Sequence, residues 1–336
     1  MNRQLIVDKT KCAVKMLLPS KLNYILARIP IYIKKRQTLR LLPSLVPLEN
    51  KKSLLYIVSL TSYGKRLSDT APLAIITLLN QSVKPDKVIL WVANEDQKNI
   101  PKILKKLIIK GLEIRYCEDI KSYKKLIPAI EFFPDAHVIT ADDDIYYPYN
   151  WLEQLIALHE QHPRKIICQR AHGIKVDENF NLFPYIKWDG CIEPDQYFAG
   201  DFETRMQSTS RRQMQSVFPT GGAGALYPPC CLHKNATNRD LFTRLAPHAD
   251  DVWFWAMAVI NKEYFGEESP YIVVTDGCTR IPQSIDPKHE QDDRALMNYN
   301  ASKGGNDRQI EAVIDYFPEI KENVLKKLFP VKKVTH

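Results

Sequence analysis

Three consecutive carboxylates, Asp142, Asp143 and Asp144, follow closely on the apolar run His137 to Thr140. Anions a few ångströms apart repel by on the order of several kcal/mol at intermediate dielectric, so a positive charge is expected among them. A hard divalent cation, Mg²⁺ or Mn²⁺, is the natural occupant, because such ions take one or two carboxylates, keep waters and share phosphate oxygens. Asp142 and Asp144 could then serve together, one toward a nucleotide ribose and one toward the metal. The plainer alternative is a solvated acidic turn capping a helix near Trp151. A second pair, Asp250 and Asp251, precedes the apolar run Val252 to Ile260, where it can act as N-cap and first turn of a helix.

The elements that must position these groups begin at about residue 53, where short apolar, β-branched runs alternate with amphipathic stretches. Four strands are expected, at Leu54 to Leu60, Val88 to Val92, Leu112 to Cys117 and His137 to Thr140. Between them, Thr70 with Ala71-Pro72 starts one helix, Pro101 opens a second that Gly111 stops, and Tyr123 to Phe133 supplies a third. Connections of this length suit crossover helices, so the strands run parallel with their carboxyl ends on one edge, where ligands of open α/β sheets bind. That edge receives Thr61, Ser62, Tyr63, Arg66, Asp119 and the acidic triplet. The expected architecture is thus α/β, a mainly parallel Rossmann-like sheet flanked by helices.

Val138-Ile-Thr-Ala-Asp-Asp-Asp-Ile-Tyr-Tyr-Pro148 resembles the strand and D-x-D motif of GT-A glycosyltransferases, especially bacterial family-2-like enzymes of the surface-polysaccharide type. Ile57 to Arg66 resembles their first strand and nucleotide-base loop. Ser122-Tyr-Lys-Lys-Leu126 lies where they place a basic residue, Thr220 to Ala225 resembles their glycine-rich acceptor segment, and Ala249 to Phe254 their acidic pair. The resemblance implies the GT-A fold and a sugar-nucleotide donor, a UDP-sugar, bound by Thr61, Ser62, Tyr63, Arg66, Asp119, Lys124, Lys125, Asp142 and Asp143. It implies a divalent metal, Mn²⁺ or Mg²⁺, on Asp142 and Asp144 with His289 as a late ligand, and acceptor contacts at Gly221, Gly222 and Trp253. Asp251 would be the general base for an acceptor hydroxyl on a glycan or lipid-linked molecule, supported by Asp250, with inversion at the anomeric carbon. The order Asp-Asp in place of the usual Glu-Asp leaves open which of the two is the base.

The formal charge of +8 is unevenly spread: residues 1 to 52 hold twelve Lys and Arg against two Asp and Glu, leaving 35 basic and 37 acidic residues beyond. A nucleic-acid-binding body, which needs a basic face, is therefore not expected. The arm interleaves Met16-Leu17-Leu18, Tyr24-Ile25-Leu26 and Ile31-Tyr32-Ile33 with basic residues, and Pro19, Pro30 and Pro43 are expected to interrupt any long helix. It is too short in apolar run to span a bilayer, lacks a signal-peptide pattern, and suits loose contact with an anionic leaflet. Seven cysteines without C-x-x-C spacing favour neither a disulfide framework nor a zinc site, which fits the cytoplasm, with a place on the inner membrane face.

The division expected is a basic amphipathic arm at 1–52, a nucleotide-sugar half at 53–170, an acceptor and catalytic half at 171–310 sharing the same sheet, and a helical tail at 311–336, with helix from Arg308 to Phe329. Two rivals stand beside a transferase. A sugar-phosphate nucleotidyltransferase needs a glycine-rich loop after the first strand, where only Gly64 occurs. A non-catalytic scaffold of polysaccharide assembly would leave a carboxylate site blocked.

Overall fold

A computed structural model of the protein describes residues 20–48, 55–189, 217–266, 268–274, 283–285, 300, 304–323 and 325. The chain divides into two compact units, residues 1–44 and 45–336. In the first, helix α1 spans Ser20–Arg40 and a short 3-10 turn, Leu42–Ser44, follows. The expected interruption is corrected here, because Pro30 lies inside α1. A proline removes one N–H donor and crowds the preceding turn at a cost of about 3 kcal/mol, yet the backbone is helical on both sides of it. Among the described residues no helix is long and apolar enough to cross a membrane.

The second unit is built on β1 (Tyr56–Thr61), β2 (Lys87–Ala93), β3 (Leu112–Cys117) and β4 (His137–Ala141), each within two residues of the boundaries expected. Further along come β5 (Ile145–Tyr146), β6 (Ile166–Cys168), β7 (Ala171–Gly173), β8 (Val217–Pro219), β9 (Ala225–Tyr227), β10 (Tyr271–Val273) and β11 (Gln283–Ser284). The main sheet has seven strands in the order β10-β6-β9-β4-β1-β2-β3. β1 pairs in parallel with β2 and β4, β2 with β3, and β6 with β10. β9 is antiparallel to both β4 and β6, so those two run the same way and the sheet is mainly parallel. β5 pairs with β11 and β7 with β8 in two small antiparallel ladders.

Parallel strands covered on both faces read as unbroken apolar runs. Ile57, Val58 and Leu60 of β1 and Val88 to Val92 of β2 are accordingly fully buried. Helix α2 (Ala71–Leu79) starts with Pro72 in its first turn, where the missing N–H would have no partner anyway. It is apolar around most of its circumference, as an enclosed helix must be. α3 (Lys102–Ile108) ends before Gly111, whose φ of +106° suits only glycine.

The third expected helix is split. Lys121–Lys125 form a 3-10 turn and α4 covers Ile127–Phe132, because Pro128 cannot donate back to Lys124 and instead starts a new helix. α5 (Trp151–Gln161), α6 (Arg239–Leu245) and α7 (Asp250–Val259) follow. The C-terminal expectation is also corrected: α8 covers Gly305–Tyr316 and α9 Glu319–Asn323, separated at Phe317-Pro318. The residue before a proline is driven out of the helical region, and Phe317 has ψ of 80°. The basic residues Lys326, Lys327, Lys332 and Lys333 lie outside the described residues.

Candidate active site

The acidic triplet leaves the carboxyl end of β4, beside the end of β1 that carries Ser62. Those adjacent strand ends bring together residues some eighty positions apart. The Ser62 hydroxyl donates to Asp143 Oδ2 at 2.5 Å, Arg66 Nη1 lies 2.5 Å from Asp143 Oδ1, and Arg66 Nη2 lies 2.5 Å from Asp144 Oδ2. Asp143 is only 3% exposed. Burial raises its carboxyl to about 7 against the lowering pull of Arg66, with repulsion from Asp144 adding to the rise. Burial also raises Asp144, again opposed by Arg66. The guanidinium in turn has its burial penalty more than offset by Asp143 and Asp144. The triplet does not cap the following helix, since Asn150 occupies the N-cap of α5.

Asp142 turns toward a different cation. Lys125 Nζ sits 3.1 Å from Asp142 Oδ1 and 3.0 Å from Asp250 Oδ2, and the residue is 6% exposed. Burial would strip the proton from such an amine, but Asp142, Asp250 and Asp251 outweigh burial and hold it well above its ordinary value. Asp250 and Asp251 form the first turn of α7, where the helix dipole favours anions. Asp251 Oδ1 accepts the Gly221 N–H at 2.9 Å. Burial, then the adjacent Asp250, raise the Asp251 carboxyl to about 7 in spite of Lys125. A single buried ammonium therefore joins the triplet to the acidic pair.

The glycine segment closes the gap between them. A Cβ on Gly221 would fall 2.7 Å from Asp251 Oδ1, and one on Gly222 2.7 Å from Asp142 Oδ2, so bare backbone is what lets this turn lie against both carboxylates. The buried Tyr147 hydroxyl accepts the Asp142 N–H at 2.7 Å and donates to the Gly222 carbonyl at 3.0 Å. Trp151 Nε1 donates to the Ala223 carbonyl at 2.8 Å. Gly224 has φ of +109°, and a Cβ there would meet Trp151 Cζ2 at 2.4 Å. Gly224→Ala is expected to lower unfolding free energy by about 3 kcal/mol or more, from backbone strain plus overpacking. Gly266→Ala, at φ of +62° with open space around it, should lose only the strain component; urea midpoints of the two variants compare them.

The other sequence-derived candidates are less uniform. Thr61 Oγ1 donates to the Trp91 carbonyl at 3.0 Å. Tyr63 is 60% exposed, with the Arg66 guanidinium 5.7 Å from its ring centroid. Lys124 is buried and ion-paired to Asp119, so these two satisfy each other. Trp253, expected to touch an acceptor, is corrected: it is fully buried, donates to the Ala236 carbonyl at 2.9 Å and packs near Phe242 and Phe317. Its position in the first turns of α7 faces it into the core. His289 lies outside the described residues.

Arg170 was not singled out in the sequence, and Tyr147, Trp151 and Thr220 stood there only as members or neighbours of the quoted segments, with no role of their own. Arg170 had a legible signal, since it closely follows the apolar run Ile166 to Cys168 that became β6. The two aromatics carried none, because a tyrosine and a tryptophan near a helix start read as ordinary core.

Among the described residues no group of three or more His, Cys, Asp or Glu side chains is disposed to hold a metal ion. Asp142 and Asp144 nonetheless fit a Mg²⁺ or Mn²⁺ that relies on phosphates and water for its remaining ligands. Both are hard oxygen donors with side chains about one-third exposed (33% and 27%), whereas Asp143 is turned inward at 4%.

Residues 60–218, just under half of the chain, match the model of the family described as Glycosyl transferase family 2. No curated protein matches the chain. Among solved structures, S. aureus TarS 1–349 is similar at 14% identity and a TM-score of 0.41, over 79% of this chain and 73% of that one. A structure of S. aureus TarS 1–349 in complex with UDP-GlcNAc is similar at 12% identity and a TM-score of 0.38, over 66% of this chain and 56% of that one. The family match, together with the mainly parallel sheet, bears out the resemblance to GT-A, family-2-like glycosyltransferases.

Proposed function

We propose that this chain, whose residues 60–218 match family 2 glycosyl transferases, moves a sugar from a nucleoside-diphosphate donor, a UDP-sugar, to a hydroxyl of a glycan or lipid-linked acceptor. The observation that carries the reading is Lys125, which holds Asp142 of the triplet and Asp250 of the acidic pair in one buried cluster. A donor diphosphate at the triplet and an acceptor hydroxyl at Asp251 would then lie in one cleft.

Tyr63 offers an exposed ring as a stacking face for the nucleotide base, and Arg66 beside it holds Asp143 and Asp144 in place. Asp142 and Asp144 would hold Mn²⁺ or Mg²⁺, which when bound neutralises charge growing on the departing diphosphate. Asp251 takes the proton from the acceptor hydroxyl, and its Oδ1 is fixed by the Gly221 N–H so that the second oxygen is the one available. The acceptor oxygen bonds to the anomeric carbon as the diphosphate leaves from the opposite face, giving inversion. Asp250, whose carboxylate faces Lys125, supports the base and is not the base itself. A cytoplasmic place, with the basic arm against an anionic inner leaflet, belongs to the same reading.

Hydrolysis of a panel of UDP, GDP and CMP sugars tests it. Turnover with one class, lost on chelation and restored by Mn²⁺ or Mg²⁺, is expected. Turnover that survives chelation would remove the metal from the proposal, and silence with every donor would overturn the transferase reading in favour of a non-catalytic partner.

A further inference from the structure

The cations around the triplet are all neutralised from within: Arg66 by Asp143 and Asp144, Lys124 by Asp119, Lys125 by Asp142 and Asp250. Arg170 differs. It lies two residues beyond β6, whose carboxyl end falls on the same edge of the sheet as that of β4. Its Nε donates to Thr220 Oγ1 at 2.7 Å, and its carbonyl accepts the Thr220 N–H at 3.1 Å. Among the described residues no carboxylate pairs with it. The side chain is thus aimed by a neutral hydroxyl and left partly exposed with its terminal nitrogens uncompensated.

The place is close to the base. Thr220 is the neighbour of Gly221, whose N–H holds Asp251. Burial raises the Tyr185 phenol, with the Asp251 charge adding to the rise and the Arg170 charge opposing it. Tyr185 stands against His172, ring centroids 5.6 Å apart, and against Trp188 at 5.1 Å. Burial, with Arg170 adding to it, lowers the His172 imidazole to about 4, so that ring is neutral at physiological pH and Arg170 supplies the local positive charge. Arginine suits this position because its planar fork binds a carboxylate or phosphate through two parallel hydrogen bonds.

Resting on the transferase reading, we infer that Arg170 forms an anion subsite on the acceptor side, so that the acceptor carries a carboxylate or phosphate near the hydroxyl that receives the sugar. The two sources share one chemistry and are separated by probes: glucuronate against glucose for the carboxylate, glycerol 1-phosphate against glycerol for the phosphate. Titration of the full chain by ligand-observed NMR, with UDP, GDP and CMP measured in parallel, reads the binding. The anionic member of at least one pair should bind more tightly than its neutral partner, and Arg170→Gln should weaken that binding ~10-fold while Arg170→Lys retains part of it. Nucleotide affinity should be unchanged in both variants, which also shows that they fold.

Equal binding of charged and neutral probes to the wild type would overturn the inference, as would a charged preference that survives Arg170→Gln. A parallel loss of nucleotide affinity in Arg170→Gln would assign Arg170 to the donor diphosphate instead. If no nucleotide binds and no donor turns over, the transferase reading falls, whatever the anion probes show.

Discussion

Asp251→Asn is expected to cut the rate of sugar transfer by about 10²- to 10⁴-fold, the range lost when a general base is removed, while leaving the affinity for the donor nucleotide within about twofold. The carboxamide is nearly isosteric and can still accept the Gly221 N–H through its carbonyl oxygen, so the turn at 220–224 should keep its place. What it cannot do is take a proton. Because burial and Asp250 raise the Asp251 carboxyl to about 7, wild-type turnover at saturating donor should climb as pH rises through about 7 and then level off. In Asp251→Asn that limb should vanish.

Linkage gives an independent check with the opposite sign. The folded state holds the Asp251 proton up to about pH 7, whereas the unfolded chain releases it near the ordinary carboxyl value of about 4. Between those limits the folded state binds more protons, so this group makes the protein less stable as pH increases. Asp251→Asn should therefore be more stable than the wild type at pH 8 and lose that advantage toward pH 4. A variant that loses activity and stability together at pH 8 would contradict a catalytic role.

The larger structural effect belongs to Lys125. Lys125→Met keeps most of the unbranched side chain and removes its charge, leaving Asp142, Asp250 and Asp251 to face each other without their shared cation. Breaking a buried ion pair by removing one member costs about 3–5 kcal/mol. Denaturant unfolding should show a loss of that order at pH 8 and a smaller one at pH 5, where Asp251 is protonated and one anion of the cluster is removed. Adding Asp250→Asn to Lys125→Met should recover part of the loss, since one of the stranded anions has gone. If the single variant is as stable as the wild type at both pH values, the cluster is not held by charge.

How far the sequence foretold this arrangement depended on length of signal. β1 through β4 are five to seven residues each; β1, β2 and β4 are largely apolar and β3 alternates apolar with charged residues, so the parallel half of the sheet could be read directly. β6, β9 and β10 have three residues apiece, too few for any periodicity, and β9 enters the sheet from a distant segment to run against its neighbours. That reversal is why the residues before β9, and not those after it, arrive beside the triplet. The glycines at 221, 222 and 224 could be seen, but not what they accommodate, which is Asp251, Asp142 and Trp151.

Adjacent lysines show a different limit. Lys124 and Lys125 are chemically identical in the sequence, yet a 3-10 turn sends one to Asp119 and the other to Asp142 and Asp250. Trp253 was misplaced for a related reason: its distance from Asp251 along the chain says nothing about which side of α7 faces inward. Charge balance was foreseen as a need and not as a solution, because Arg66 lies 77 positions from Asp143.

The phenol of Tyr147 has a mechanical consequence. By clasping the main chain at Asp142 with one lone pair and the main chain at Gly222 with its proton, it rivets the strand end that carries the triplet to the glycine turn that holds Asp251. Those two segments are tied to travel as one plate, so under the proposed function admission of a bulky saccharide and escape of the spent nucleotide fall to segments outside that rivet.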